Sequence, residues 1–80
     1  MNQAITKPAI TYHVVYQEIT TEYGETARTY GLQAYADGDV AAQVLDISTN
    51  PAFVHKLAKR YTKHQLSPYH LHDAVCDILE

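Results

Sequence analysis

Histidine and cysteine four residues apart on a helix share a face and can hold one metal ion, and His72 and Cys76 have that spacing. His64 and His70 are close enough in sequence to add ligands. The pattern goes no further. His70 and His72, two apart, point to different sides of a helix, and the chain contains no Cys-x-x-Cys, His-x-x-x-His or Glu-x-x-His. No metal site is assigned, and a metal-binding domain using His72 and Cys76 is kept only as an alternative. In the plainer reading Cys76 is a small apolar residue at the edge of the core and His72 a boundary residue. Cys76 is a poor nucleophile, because Asp73, Asp77 and a helix C-terminus all favour the neutral thiol. Ser67 and His70 have the look of a serine–histidine pair, yet Ser67 ahead of Pro68 reads as a helix cap with His70 at the third helical position. No catalytic residue and no cofactor site are assigned.

Charge offers two more constellations. Glu18, Arg28 and Asp46 can align across strands as an ion-pair ladder, which is a structural feature before it is a site. Lys56, Lys59, Arg60 and Lys63 form one stripe of a helix and account for four of the six basic residues. They can face solvent, phosphates or an acidic partner. No aromatic readers interleave with them, and the net charge is −3. Nucleic-acid binding through this stripe is therefore a weak alternative. The glycines are isolated at positions 24, 31 and 38, so no phosphate-cradling loop is present.

These residues must be carried by elements that the pattern makes legible. From Ile10 to Ile47 the β-formers Val, Ile, Thr and Tyr dominate. Strands are predicted over about 10–20 and 26–36, joined by Glu22-Tyr23-Gly24 as a three-residue loop. That loop sets Val14 opposite Leu32, Tyr16 opposite Tyr30 and Glu18 opposite Arg28, apolar against apolar and acid against base on one face. The second turn, Asp37-Gly38, admits two registers. A two-residue loop puts Ala41, Gln43, Leu45 and Ile47 on that face. A three-residue loop with Gly38 at a bulge puts Val40, Ala42, Val44 and Asp46 there. The second is preferred because it completes the Glu18–Arg28–Asp46 ladder, and it sends Leu45 and Ile47 to the opposite face. Helix one opens at Thr49 or Asn50 with Pro51 in the first turn. Its apolar stripe is Val54, Leu57, Ala58 and Tyr61, with Phe53 at the margin. Helix two opens at Ser67 and Pro68 and buries Leu71, Ala74, Val75, Ile78 and Leu79, with Asp73, Asp77 and Glu80 opposite. The expected fold is α+β: a three-stranded antiparallel meander followed by a two-helix hairpin on one face. Residues 1–9 read as a flexible arm and 10–80 as a single domain.

Size limits the function. A chain of 80 residues buries roughly 60–65% of its unfolded surface, leaving little to line an enclosed pocket. An enzyme is not expected. One cysteine excludes an internal disulfide, and neither a signal peptide nor a membrane span is recognised, so a cytoplasmic protein is expected. Seven of the eight aromatic residues are tyrosines. Tyr12, Tyr16, Tyr30 and Tyr61 are assigned to the core, leaving Tyr23, Tyr35 and Tyr69 for contacts. Two helices leave one sheet face bare, and Val15, Ile19, Tyr35, Leu45 and Ile47 fall on it. That face, with Lys56, Lys59, Arg60 and Lys63, is the expected interaction surface for a protein partner or a second copy.

Two stretches carry a resemblance. Glu18-Ile-Thr-Thr-Glu-Tyr-Gly-Glu-Thr running into Tyr30-Gly31 is one. The other is Asp46-Ile-Ser followed, after the helix, by Leu66-Ser-Pro-Tyr-His-Leu-His-Asp-Ala-Val-Cys-Asp-Ile-Leu. Together, from about Tyr12 to Leu79, the chain resembles a family of small uncharacterised proteins of clostridia and related Gram-positive bacteria. The resemblance implies a bacterial, cytosolic origin and no activity, and it transfers no functional residues.

Overall fold

A computed structural model describes residues 9–79. The expected N-terminal arm, apart from Ala9, and Glu80 of the acidic stripe lie outside the described residues. Three strands, β1 (Ile10–Thr20), β2 (Thr26–Ala36) and β3 (Asp39–Ser48), form one antiparallel sheet in the order β1-β2-β3. Helix α1 (Pro51–Lys63) follows, then a 3-10 turn (Pro68–His70) and helix α2 (Leu71–Leu79). This is the α+β arrangement that the pattern predicts.

The first hairpin has the expected register throughout, from Ile10 opposite Ala36 to Thr20 opposite Thr26. Its loop closes with Thr21 N–H donating to the Glu25 carbonyl at 2.7 Å and Gly24 N–H to the Thr21 carbonyl at 2.9 Å. Gly24 sits at φ +82°, a conformation that glycine adopts without penalty.

Strand β3 departs from both registers considered for it. Asp37 and Gly38 form a two-residue turn with φ of 56° and 83°, closing Ala36 against Asp39. A bulge between Val40 and Ala42 then returns Ala42 and Val44 to the helix-covered face, opposite Ala34 and Leu32. Val40, expected on that face, pairs with Tyr35 and is exposed. A second irregularity separates the Leu32–Val44 pair from the Tyr30–Ser48 pair, with Asp46 left-handed at φ 57°. It turns Ile47 into the core, 7% exposed, where the helix-free face was expected. It also lifts Asp46 out of the ladder, so Arg28 pairs with Glu18 alone, at 2.9 Å.

The core joins Tyr12, Leu32, Ala34 and Ile47 of the sheet to Val54, Leu57, Ala58 and Tyr61 of α1 and Leu71 and Val75 of α2. Helix α1 lies over β1 and β2, and α2 lies against β3. Asn50 caps α1, its Oδ1 accepting from Ala52 N–H at 3.0 Å. At the other end Gln65 is left-handed at φ 52°, and Leu66 N–H reaches back to the Tyr61 carbonyl at 3.0 Å. That closure satisfies carbonyls the helix would otherwise leave open. Ile78 and Leu79, expected on the buried stripe, are exposed beyond the end of the core.

Candidate interaction site

The helix-free sheet face keeps only part of the expected apolar surface. Ile19 and Leu45 are exposed, Val15 and Tyr35 half-buried, and Ile47 is lost to the core. Polar bonds cross the rest. The Tyr35 hydroxyl donates to Gln33 Oε1 at 3.2 Å, Gln33 Nε2 donates to Gln43 Oε1 at 3.0 Å, and the His13 ring stands edge-on to Tyr35 at 5.0 Å. Gly31, in the middle of β2, leaves no dip on this face. A Cβ there would fall on the Val44 carbonyl oxygen and within 2.7 Å of Leu45 Cα, so the β3 backbone packs directly against this glycine. Nearby Thr29 is buried, and its hydroxyl has no partner among the described residues.

The basic stripe sits elsewhere, beside the outer edge of β1. An open groove of about 950 Å³ runs between that edge and α1, lined by Lys59, Arg60, Lys63, His55 and His64 from the helix side and His13 from the strand. Tyr12, Val14, Ala58 and Thr62 complete its walls, and no carboxylate among the described residues lines it. Lys56, the remaining cation of the stripe, is exposed outside the groove. His55 and His64 thus join three of the four expected cations, in a chain whose net charge is negative, while the His13 ring lies over Tyr35 on the other face of the sheet. Among the described residues the one ion pair is Arg28–Glu18, away from the groove, so its cations are uncompensated. A concave wall of one charge concentrates anions in front of it.

Helix α1 is held against β1 by a set of bonds that sequence patterns do not announce. Tyr12 N–H donates to Thr62 Oγ1 at 2.9 Å, and the Tyr12 hydroxyl donates to the Leu66 carbonyl at 2.7 Å. The Gln65 amide clasps Ile10 on both sides, accepting from its N–H at 2.9 Å and donating to its carbonyl at 2.7 Å. The Tyr12 and Tyr61 rings meet edge to face at 5.6 Å. Burial, with the neighbouring Tyr61 hydroxyl adding to it, pushes the Tyr12 phenol up to about 12. Burial also raises Tyr61, against the opposing pull of Arg60.

These bonds fix what the edge exposes. Thr21 and Glu25 form a hydrogen-bonded pair, so by alternation the odd residues of β1 carry the ladder to β2. The even residues turn their N–H and C=O groups outward. Gln65 and Thr62 cover Ile10 and Tyr12, and from Val14 to Glu18 the outward groups have no strand beside them among the described residues. Tyr16, expected in the core, stands at the middle of this stretch and is 60% exposed, with the Arg28 guanidinium 4.2 Å from its ring centroid. Tyr30 packs against the core as expected, while Tyr23 and Tyr69 are fully outside it.

The alternative metal pair is close but incomplete. Cys76 Sγ lies 3.7 Å from His72 Nδ1 on the exposed side of α2, as their spacing requires. No group of three His, Cys, Asp or Glu side chains that could hold a metal ion occurs among the described residues, and His64 belongs to the groove. Ser67 serves as a cap, its Oγ accepting from Tyr69 N–H at 3.3 Å. No described helix is long and apolar enough to cross a membrane.

The sequence model of a family of unknown function (DUF6514) matches residues 2–80, and the chain belongs to that family. Neither the curated proteins nor the solved structures returned a match.

Proposed function

We propose that this member of the family is a small non-enzymatic interaction or regulatory domain, whose working surface is the groove between α1 and the β1 edge and whose ligand is an acidic protein segment. The observation that carries the reading is the gathering of Lys59, Arg60, Lys63, His55 and His64 around one open groove that no carboxylate lines among the described residues. Cations and imidazoles arranged on an open wall support recognition of charge. A protein segment fits better than nucleic acid, because the one tyrosine in the wall, Tyr12, is 5% exposed and the chain as a whole carries a net charge of −3. The reading takes the chain as a cytoplasmic protein of Gram-positive bacteria, the setting implied by its resemblance to clostridial proteins.

The test is a titration of ¹⁵N-labelled protein with a synthetic ten-residue polyglutamate, alongside a single-stranded oligonucleotide of similar charge. Saturable shifts at the amides of Val14, His55, Lys59, Lys63 and His64 are expected, weakening with salt. They should vanish in the Lys59→Glu, Lys63→Glu double variant. Shifts confined to another surface, or saturation by the oligonucleotide alone, would overturn the reading.

A further inference from the structure

Resting on the groove reading, we infer that the acidic segment is the first hairpin of a second copy of this chain, added antiparallel to β1 so that two three-stranded sheets become one of six strands. The first support is the edge itself. Edge strands that stay single are blunted by prolines, lysines, bulges or short length. β1 is 11 residues long, has no register shift against β2, and carries one charged residue, Glu18, with no proline or lysine. Its open stretch, from Val14 to the strand's end at Thr20, offers four even-numbered residues with outward N–H and C=O groups, the exposed Tyr16 among them.

The second support is that geometry leaves few registers. Two antiparallel copies of β1 related by a two-fold axis pair residue by residue about the position on the axis. Centring on Val14 sets Tyr16 against Tyr12, whose N–H already donates to Thr62, and Glu18 against Ile10, whose N–H and carbonyl are held by Gln65. Centring on Glu18 sets two carboxylates directly opposite each other, which is destabilising. Centring on Val15 sets Glu18 against Tyr12 again, whereas centring on Tyr16 or on Gln17 sets Val14 against Glu18 or Thr20 and pairs every outward group from Val14 to Glu18.

The third support is charge. In either register the hairpin of each copy runs from Glu18 toward Glu22 and Glu25 alongside the other copy's Val14 and Tyr12, which line the basic groove. The end of the hairpin reaches past β3, whose last pair is Tyr30–Ser48, and it holds three of the nine acidic residues against one cation, Arg28, which pairs with Glu18 and leaves Glu22 and Glu25 in excess. Each copy therefore presents an acidic hairpin and a basic groove, and the two-fold axis satisfies both at once. Main-chain bonds supply the pairing and the charges set the register, which is the division of labour in strand addition.

Sedimentation equilibrium of the full chain tests this. A mass of twice 9.0 kDa is expected. Tyr16→Pro removes one outward N–H while leaving the β1–β2 ladder intact, as an edge strand tolerates, and circular dichroism checks its fold. It should sediment as a monomer. Glu18→Lys with Glu22→Lys, and separately Lys59→Glu with Lys63→Glu, should each weaken self-association by about tenfold or more. An equimolar mixture of these two double variants restores opposite charge at both halves of the interface and should recover the dimer. A dimer that survives Tyr16→Pro and both charge reversals overturns the inference, as does a mixture that stays monomeric. A wild-type chain that is monomeric throughout yet binds polyglutamate in the groove overturns the second copy as occupant and leaves the groove reading standing.

Discussion

Strand β3 breaks its ladder twice within ten residues, whereas β1 holds its register against β2 along its whole length. Both are edges of the same sheet. β3 bows its backbone over Gly31, flips one residue left-handed at Asp46 and turns Ile47 inward. Little of a regular row of donors and acceptors is left on its outer side. β1 stays straight, and its outer groups are closed only at Ile10 and Tyr12, by side chains from the end of α1. One edge is sealed by its own irregularity and the other is left open beside a basic groove. The proposed recognition uses the open edge, and the irregular one serves the stability of the fold.

The largest expected effect tests the sealed edge. Gly31→Val places a branched side chain where the β3 backbone lies, and backbone has no rotamer with which to retreat. A loss of about 3 kcal/mol in urea unfolding is expected. A loss below about 1 kcal/mol would mean that the β3 bulge is not packed on Gly31 in solution. Asp46→Val tests the same edge more gently. A β-branched residue in the left-handed region should cost about 1–2 kcal/mol, and Asp46→Gly should cost nothing. Equal stabilities for the two variants would argue against the left-handed turn.

On the open edge the expected effects are smaller. Tyr12→Phe loses the bond to the Leu66 carbonyl and should cost about 1 kcal/mol. The native phenol titrates near 12 and the unfolded one near 10, so the native state keeps a proton that the unfolded chain gives up. The contribution of Tyr12 is therefore whole below pH 10 and is lost as pH rises through about 12. Unfolding curves at intervals from pH 9 to 12 should fall less steeply for the Phe variant than for wild type, and parallel curves would show that Tyr12 is not held as described. Smallest is Gln65→Ala, at about 1 kcal/mol or less for bonds on an exposed surface. It should speed amide exchange at Ile10 and leave the Val15 amide, inside the ladder to β2, unchanged.

Local chemistry explains what was legible beforehand. The loop glycine at 24 and the facing pairs Val14–Leu32 and Glu18–Arg28 fix the first hairpin, because turn length and a period of two admit one register there. Asn50-Pro51 and the stripe Val54, Leu57, Ala58, Tyr61 likewise fix α1. Strand β3 was not legible because its bulges depend on the close approach of its backbone to Gly31, a contact set by tertiary packing. Its real path takes the two-residue turn from one register, the placement of Ala42 and Val44 from the other, and Ile47 from the first again. Tyr16 was misplaced because the helices end before they reach it, and strand alternation says nothing of how far a covering layer extends. For the site, the spacing of Lys59 and Lys63 was enough to find the helix face. His55, four residues before Lys59, belongs to the same helical row and was within reach of that pattern. His13, and the caps Thr62 and Gln65, were not, since nothing local ties the end of α1 to the start of β1.

The Gln65 clasp on Ile10 spans 55 residues of sequence, while the hairpin it borders closes through a loop of three. Hairpins form in microseconds, and contacts of long separation wait for the rest of the chain. A nascent or refolding chain thus shows its complete β1 edge, Ile10 and Tyr12 included, until α1 has docked. The length of open edge is therefore a measure of how far folding has gone, shortened at its Ile10 end when the clasp closes.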